Sequence, residues 1–359
     1  MKKIIIVYIL LIASFLIAEE SKPPKKVRFV GFPFGFYKPE TSVALGFGGG
    51  VYFKLPNQDD SFQTSSVALA GFYSFKNYYS LVLRPDLYLN LWRSRMVTTL
   101  RLENNDDSYF GLGAHNSEDD EVIYKYQRQQ FVFEFTTPSF FVDGLSRGLI
   151  ADLSHFEIKD VVDADFVQSP ELDNDYKHDQ IGLGFRLDYE KRDNTKYPIK
   201  GHYIGVRYLT FREEFGSDYE YNNLILDFRK YFPMGKTQTL ANQIYSSTVS
   251  HDVPFFSMSG IGGAEIMRGY YDGRYRDKSA IAYQTEYRTM FLKRWGAVAF
   301  ANIGSVYSDI DEIELKDFKA SFGIGGRFLL IPEDKINLRL DLAMGNNSFG
   351  FYFIIEEAF

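Results

Sequence analysis

The sequence predicts an all-β chain, a transmembrane antiparallel β-barrel of sixteen strands with a long loop inserted into its lumen. Three observations predict it. The 359 residues include 34 Phe, 26 Tyr and 29 Gly, yet mean hydropathy is only -0.22. Such aromatic wealth without net hydrophobicity suits strands with one greasy and one polar face. Polarity then alternates with a period of two in segments of ten to fourteen residues, the length a tilted membrane strand needs. Finally, beyond the N-terminus no stretch approaches the ~20 apolar residues of a membrane helix.

Taken in order, residues 1–18 (MKKIIIVYILLIASFLIA) carry two lysines and then a fifteen-residue apolar run. This reads as a cleaved secretory signal ending at Ala18, although Leu16 stands where a small residue is usual. Residues 19–40 are lysine- and proline-rich and read as a short periplasmic segment. Residues 41–359 read as the barrel, placing the protein in the outer membrane of a Gram-negative cell. There is no cysteine, which excludes a lipoprotein anchor, disulfides and thiolate metal sites. The formal charge of -7 argues against nucleic acid as a partner.

Three segments alternate cleanly. In IGLGFRLDYE, Ile181, Leu183, Phe185, Leu187 and Tyr189 oppose Gly182, Gly184, Arg186, Asp188 and Glu190. In SAIAYQTEYRTMF, Ile281, Tyr283, Tyr287 and Phe291 oppose Gln284, Glu286 and Arg288. In KINLRLDL, Ile336, Leu338, Leu340 and Leu342 oppose Asn337, Arg339 and Asp341. A soluble sandwich also alternates, but opposite charges mixed at mid-strand suit a hydrated lumen in which neighbours pair. Strand starts fall near residues 43, 62, 78, 95, 121, 148, 178, 201, 218, 237, 279, 295, 318, 335 and 348. Single-chain bacterial barrels have an even number of strands, so one strand is unaccounted for. The acidic breaks 103–121 and 159–177 read as outward loops. In the final FGFYFIIEEAF, Phe349, Phe351, Phe353, Ile355 and Phe359 are expected on one face, with Glu357 interrupting the pattern.

Catalytic and cofactor chemistry find no support, so the chain reads as a non-enzyme without cofactor or metal. The glycine runs at 260–263 and 46–50 neither follow a buried strand nor open a helix, which a phosphate cradle requires. GFGGG lies instead within an alternating strand, where small residues leave interior room. His115, His155, His178, His202 and His251 fall at breaks or strand ends, with no G-x-S-x-G nucleophile motif or H-E-x-x-H metal spacing.

One feature stands apart. Residues 262–277, GGAEIMRGYYDGRYRD, pack six charged residues and four glycines into sixteen positions. With YQTEYR and VAFANIG downstream, this stretch resembles the barrel of the BamA/TamA family, also called the bacterial surface antigen family. The resemblance implies a long extracellular loop with an arginine-glycine-aromatic core, here Met267, Arg268, Gly269 and Tyr270, folded back into the barrel. It implies that the arginine meets acidic residues on the next two strands. The first is Glu286. The second belongs to an F-x-D-x-G motif that here runs from Phe300 to Gly304 with Asn302 in place of the aspartate; an amide can accept a hydrogen bond but cannot neutralise the charge. YEKRDNTKYPIKGHY (189–203) resembles a family turn. FYKPET, YFGLG and the C-terminal strand resemble barrel-only members; Phe353, Ile355 and the terminal Phe359 are the expected C-terminal strand signal that outer-membrane barrels present to their assembly machinery.

Independently of the resemblance, Glu286 shares the lumen-directed face with Gln284 and Arg288, and arginine's planar fork can grip two partners at once. The family inserts or secretes outer-membrane proteins, normally with periplasmic POTRA modules preceding the barrel. Only about twenty residues separate the signal from the first counted strand, so the resemblance implies a barrel-only member. Its expected surroundings are outer-membrane lipids and lipopolysaccharide, with client proteins and a periplasmic partner, and a monomeric barrel. A passive pore or structural surface barrel is the alternative.

Overall fold

The computed structural model describes residues 27–38, 42–59, 62–117, 120–161, 177–251 and 253–359. The signal segment, residues 19–26 and most of the 159–177 break lie outside them. The strands are β1 (Val27–Lys38), β2 (Ser42–Phe53), β3 (Ser65–Ser74), β4 (Tyr79–Tyr88), β5 (Arg95–Tyr109) and β6 (Val122–Pro138). There follow β7 (Leu145–Val161), β8 (Lys177–Glu190), β9 (Gly201–Phe211), β10 (Tyr221–Pro233) and β11 (Gln238–His251). The short β12 (Ser259–Ile261) and β13 (Tyr275–Asp277) pair with each other, apart from the main sheet. The main sheet resumes with β14 (Ser279–Met290), β15 (Trp295–Tyr307), β16 (Lys319–Ile331), β17 (Ile336–Gly345) and β18 (Ser348–Ile355).

The main sheet has sixteen strands in sequential order, with β11 beside β14. The strand missing from the sequence count is β1. It lies within the stretch read as a periplasmic lead and pairs with β2 from Val27↔Phe53 to Lys38↔Ser42. The barrel sheet therefore includes Val27–Lys38, ahead of the boundary at residue 41. Period-two reading misses this strand because VRFVGFPFGFYK sets apolar residues against glycine and proline, leaving little polarity to alternate. Pro33 is tolerated because an edge strand can spare a ladder donor.

Burial is inverted relative to a soluble protein. Outward-facing Leu149, Phe322 and Ile324 are 70%, 64% and 64% exposed, while the largest fully buried side chains are Arg268, Arg288, Arg327 and Arg339. A contiguous apolar exterior around a charged interior is stable only with lipid outside. The predicted faces hold in β8, β14 and β17: Leu183, Tyr283 and Leu340 point out, and Asp188, Glu286 and Asp341 point in. At one end of the barrel lie the long loops 110–121, 212–220, 252–278 and 308–318; the other end has mostly short turns and carries the start of β1 and the end of β18.

At the turn end the two edges of the sheet overlap. Phe32 faces inward opposite Gly48, whereas Phe353 faces outward beside Leu340. Their rings nevertheless pack edge-on with centroids 4.9 Å apart. Arg28 reaches past β18 to pair with Asp334 in the β16–β17 turn, and Thr64 Oγ1 donates to the same carboxylate at 2.8 Å. Tyr52 of β2 is buried with Ile331 and Ile336, and Val30 and Ile355 pack on this cluster. The inner face of β1 thus laps the outer face of β18.

The 191–200 turn enters from the same end. Asp193 accepts from Ile199 N at 2.9 Å and Asn194 from Tyr197 N at 2.7 Å, folding it into a compact knob. Lys196 then crosses the lumen floor to Glu356 Oε1 at 2.7 Å. The knob closes at Gly201, where φ is +105° and a Cβ would stand 2.0 Å from Lys191 O. Gly201→Ala is expected to destabilise the barrel by about 1–3 kcal/mol, read from its urea unfolding midpoint in micelles. An unchanged midpoint would show that the knob carries no strain-sensitive contact.

Candidate functional site: a buried arginine lattice beneath the lumen loop

The connection from β11 to β14 folds into the barrel. Its β12–β13 hairpin runs from Ser259↔Asp277 to Ile261↔Tyr275. Ile261, Met267, Tyr270 and Tyr275 form an apolar cluster with Ala280, Ala282 and Val306 of the wall. Arg268 stands between two residues of left-handed backbone, Met267 (φ +59°) and Gly269 (φ +108°), so the chain kinks and delivers the side chain to the wall. Met267 N donates to Gln284 Oε1 at 3.0 Å and Gly269 N to the Tyr352 hydroxyl at 2.9 Å. A side chain at Gly269 would meet the β17 backbone, with Gly345 N at 3.0 Å. The Tyr270 hydroxyl donates to Ala320 O at 2.8 Å and accepts from Asn346 N at 3.0 Å.

The guanidinium of Arg268 is completely buried. It pairs with Glu286, and its Nη1 donates to Asp341 Oδ2 at 2.6 Å. Its Cζ sits 3.7 Å from the centroid of the Phe300 ring, a cation–π contact strengthened by burial. Glu286 also accepts from Arg288 Nε at 2.7 Å. Asp341 accepts from Arg327 Nη1 at 2.5 Å and Arg339 Nη1 at 3.2 Å. Arg327 Nε reaches Glu357 at 2.8 Å, and Asn337 donates to that carboxylate at 2.8 Å. Arg339 Nη2 returns to the loop at Ala264 O, 2.9 Å away. Four guanidiniums and three carboxylates thus form one buried lattice that clamps the loop to β14, β16 and β17.

The predicted Arg268–Glu286 pair is present. Asn302 behaves differently from expectation: its Nδ2 donates to Ser321 Oγ at 2.9 Å and to the backbone oxygen of Arg268 at 3.5 Å, so it braces the chain and leaves the guanidinium to others. The second carboxylate is Asp341, which sequence reading placed on the lumen face but did not link to the loop. Phe300 is the platform under the arginine, and Gly304 allows close approach to Ala282, whose Cβ would lie 3.1 Å from a Cβ there.

Phe353 and Ile355 lie on the outer face of β18 as expected, but Phe359 does not share it. The backbone turns inward at Glu356 (φ +76°). Phe359 is buried with Tyr231 and Ala241, and its backbone oxygen accepts from Arg288 Nη2 at 2.9 Å. Toward the loop end, the Tyr271 hydroxyl donates to the Asp107 carboxylate at 2.7 Å. Among the described residues, no grouping of three His, Asp or Glu side chains could hold a metal.

This arrangement is held almost entirely within residues 157–359, which match the Omp85 superfamily domain. The chain belongs to the Omp85 superfamily. Its fold is similar to that of BamA from Haemophilus ducreyi lacking POTRA domains 1–3, at a TM-score of 0.57 and 15% identity over 92% of this chain and 69% of that one. It is also similar to CdiB from Acinetobacter baumannii, with a TM-score of 0.56 and 13% identity over 92% of this chain and 60% of that one. CdiB from Escherichia coli gives a TM-score of 0.56 and 11% identity over 92% and 61%. This Omp85 chain therefore spans less than two thirds of the CdiB chains. No curated protein matches the sequence. BamA-like Omp85 barrels are outer-membrane proteins, in keeping with the apolar exterior described above.

Proposed function

We propose that this Omp85 barrel resides in the outer membrane and acts without catalysis in the insertion, assembly or translocation of outer-membrane proteins. The observation that carries the reading is the loop clamped through Arg268 to Glu286 and Asp341, beside sheet edges that overlap through side chains. A barrel that must hold its lumen shut beside a yielding edge needs such an internal brace. Client proteins, and a periplasmic partner that collects them, complete the proposal. The test is depletion followed by quantification of folded outer-membrane proteins, with complementation by wild type and by Arg268→Ala. Depletion should lower folded clients, and the variant should fail to restore them. An unaltered outer-membrane proteome would refute the assembly role.

The passive-pore alternative predicts open conductance. The lumen, however, is occupied by the loop on one side and by the 191–200 knob on the other. Reconstituted protein is expected to show little steady current in planar bilayers, and excision of 262–277 should raise it. A large stable conductance from wild type would favour the pore.

A further inference from the structure

Below the arginine lattice the lumen holds a cavity of about 1070 Å³, at the upper end of ligand-pocket size. One wall is aromatic: Phe32 and Phe34 of β1 and Phe351 and Phe353 of β18, at the lapped edges. The opposite wall carries Arg84, Arg95, Arg186 and Lys196. Arg95 is committed to Asp86 at 2.7 Å, Arg186 to Asp188 at 2.6 Å and Lys196 to Glu356 at 2.7 Å. Arg84 is exposed to the cavity and acts on Asp86 only through its charge, Asp86 being held directly by Arg95. It also borders a second lumen cavity of about 400 Å³ lined by Arg101, Arg128 and Arg207.

The strand registers explain the shape. Val30 faces Gly50, Gly50 faces Ala68, and Ala68 faces Arg84. The next row runs Phe32, Gly48, Ala70 and Val82. Glycine and alanine on the two middle strands keep the floor low across about 14 Å, three strand spacings, from the aromatic lap to Arg84.

We propose that this cavity binds one anionic phospholipid, its acyl chain lying along the trough into the Phe32–Phe353 lap and its phosphate at Arg84. A soluble anion would leave the aromatic wall without a partner, and a zwitterionic lipid would bring its own cation to Arg84. The aromatic wall and the exposed Arg84 guanidinium together ask for an anionic amphiphile. This binding is independent of the assembly role, and its test reads lipid retention alone.

The test is native mass spectrometry of the full chain in detergent, titrated with phosphatidylglycerol, phosphatidylcholine, lipid A or inorganic phosphate. Wild type should retain one phosphatidylglycerol in preference to phosphatidylcholine, undisplaced by phosphate. Arg84→Gln should weaken phosphatidylglycerol by about tenfold or more, the scale of one hydrogen bond to a charged group, and leave phosphatidylcholine unchanged. Gly48→Leu, whose Cβ would sit 3.4 Å from the Phe32 ring, should fill the trough and weaken both lipids. Ala70→Leu serves the same purpose if the first variant fails to show the heat-modifiable migration of a folded barrel. Equal retention of the two lipids by wild type, displacement by phosphate alone, preference for lipid A, or no effect of Arg84→Gln would each overturn the proposal.

Discussion

Arg268→Ala is expected to destabilise the barrel by about 2–5 kcal/mol, the range for truncating a large, fully buried side chain. The substitution removes the only loop cation in the lattice described above. Glu286 keeps Arg288, and Asp341 keeps Arg327 and Arg339, so neither carboxylate is stripped bare. What disappears is the bridge between them, the stack on Phe300 and the volume of a fully buried side chain. Lysine should rescue poorly, since a compact ammonium cannot span both carboxylates or stack as a plane. The measurements are the urea unfolding midpoint in micelles and protease cleavage between residues 262 and 277. Loss of stability with new cleavage in the loop is the expected pair. A shift within about 0.5 kcal/mol, the range of ordinary surface changes, with the loop still protected would show that Arg268 is not the clamp.

Much of this was legible in the chain. Strand alternation alone places Glu286, Arg288, Arg339 and Asp341 inside, because a period of two assigns faces directly. Three things were not legible, each for a physical reason. β1 sets apolar residues on one face against glycine and proline on the other, so it has little polarity to alternate. Phe359 was placed by extending β18 through Glu356 and Glu357, whereas the left-handed backbone at Glu356 ends the alternation. Two adjacent carboxylates at the end of a greasy strand were the available signal. Asp341 contacts Arg268 across 73 residues of sequence, a meeting set by barrel curvature. Its trace in the sequence was indirect: Asn302 stood where a charge was expected, and an inward-facing aspartate lay two strands further along the sheet.

That displacement of charge leads to the second large effect. Asp341→Asn leaves Arg268, Arg327 and Arg339 around a neutral amide, with four lattice guanidiniums sharing only Glu286 and Glu357. A cost of about 3–5 kcal/mol is expected, since the buried cations lose compensation while remaining out of water. Asn302→Asp alone should gain nothing. A carboxylate there would face the backbone oxygen of Arg268 and lose the amide's donor to it, while Ser321 could turn its hydroxyl to donate instead. Combined with Asp341→Asn, however, the same change returns one negative charge beside the loop. The double variant should recover part of the lost stability, with a coupling energy of at least about 1 kcal/mol, within the range for residues that share a network. Unfolding midpoints of the four proteins decide it. Simple additivity would mean that position 302 cannot take over the charge, and that the lattice depends on the place of Asp341 as much as on its sign.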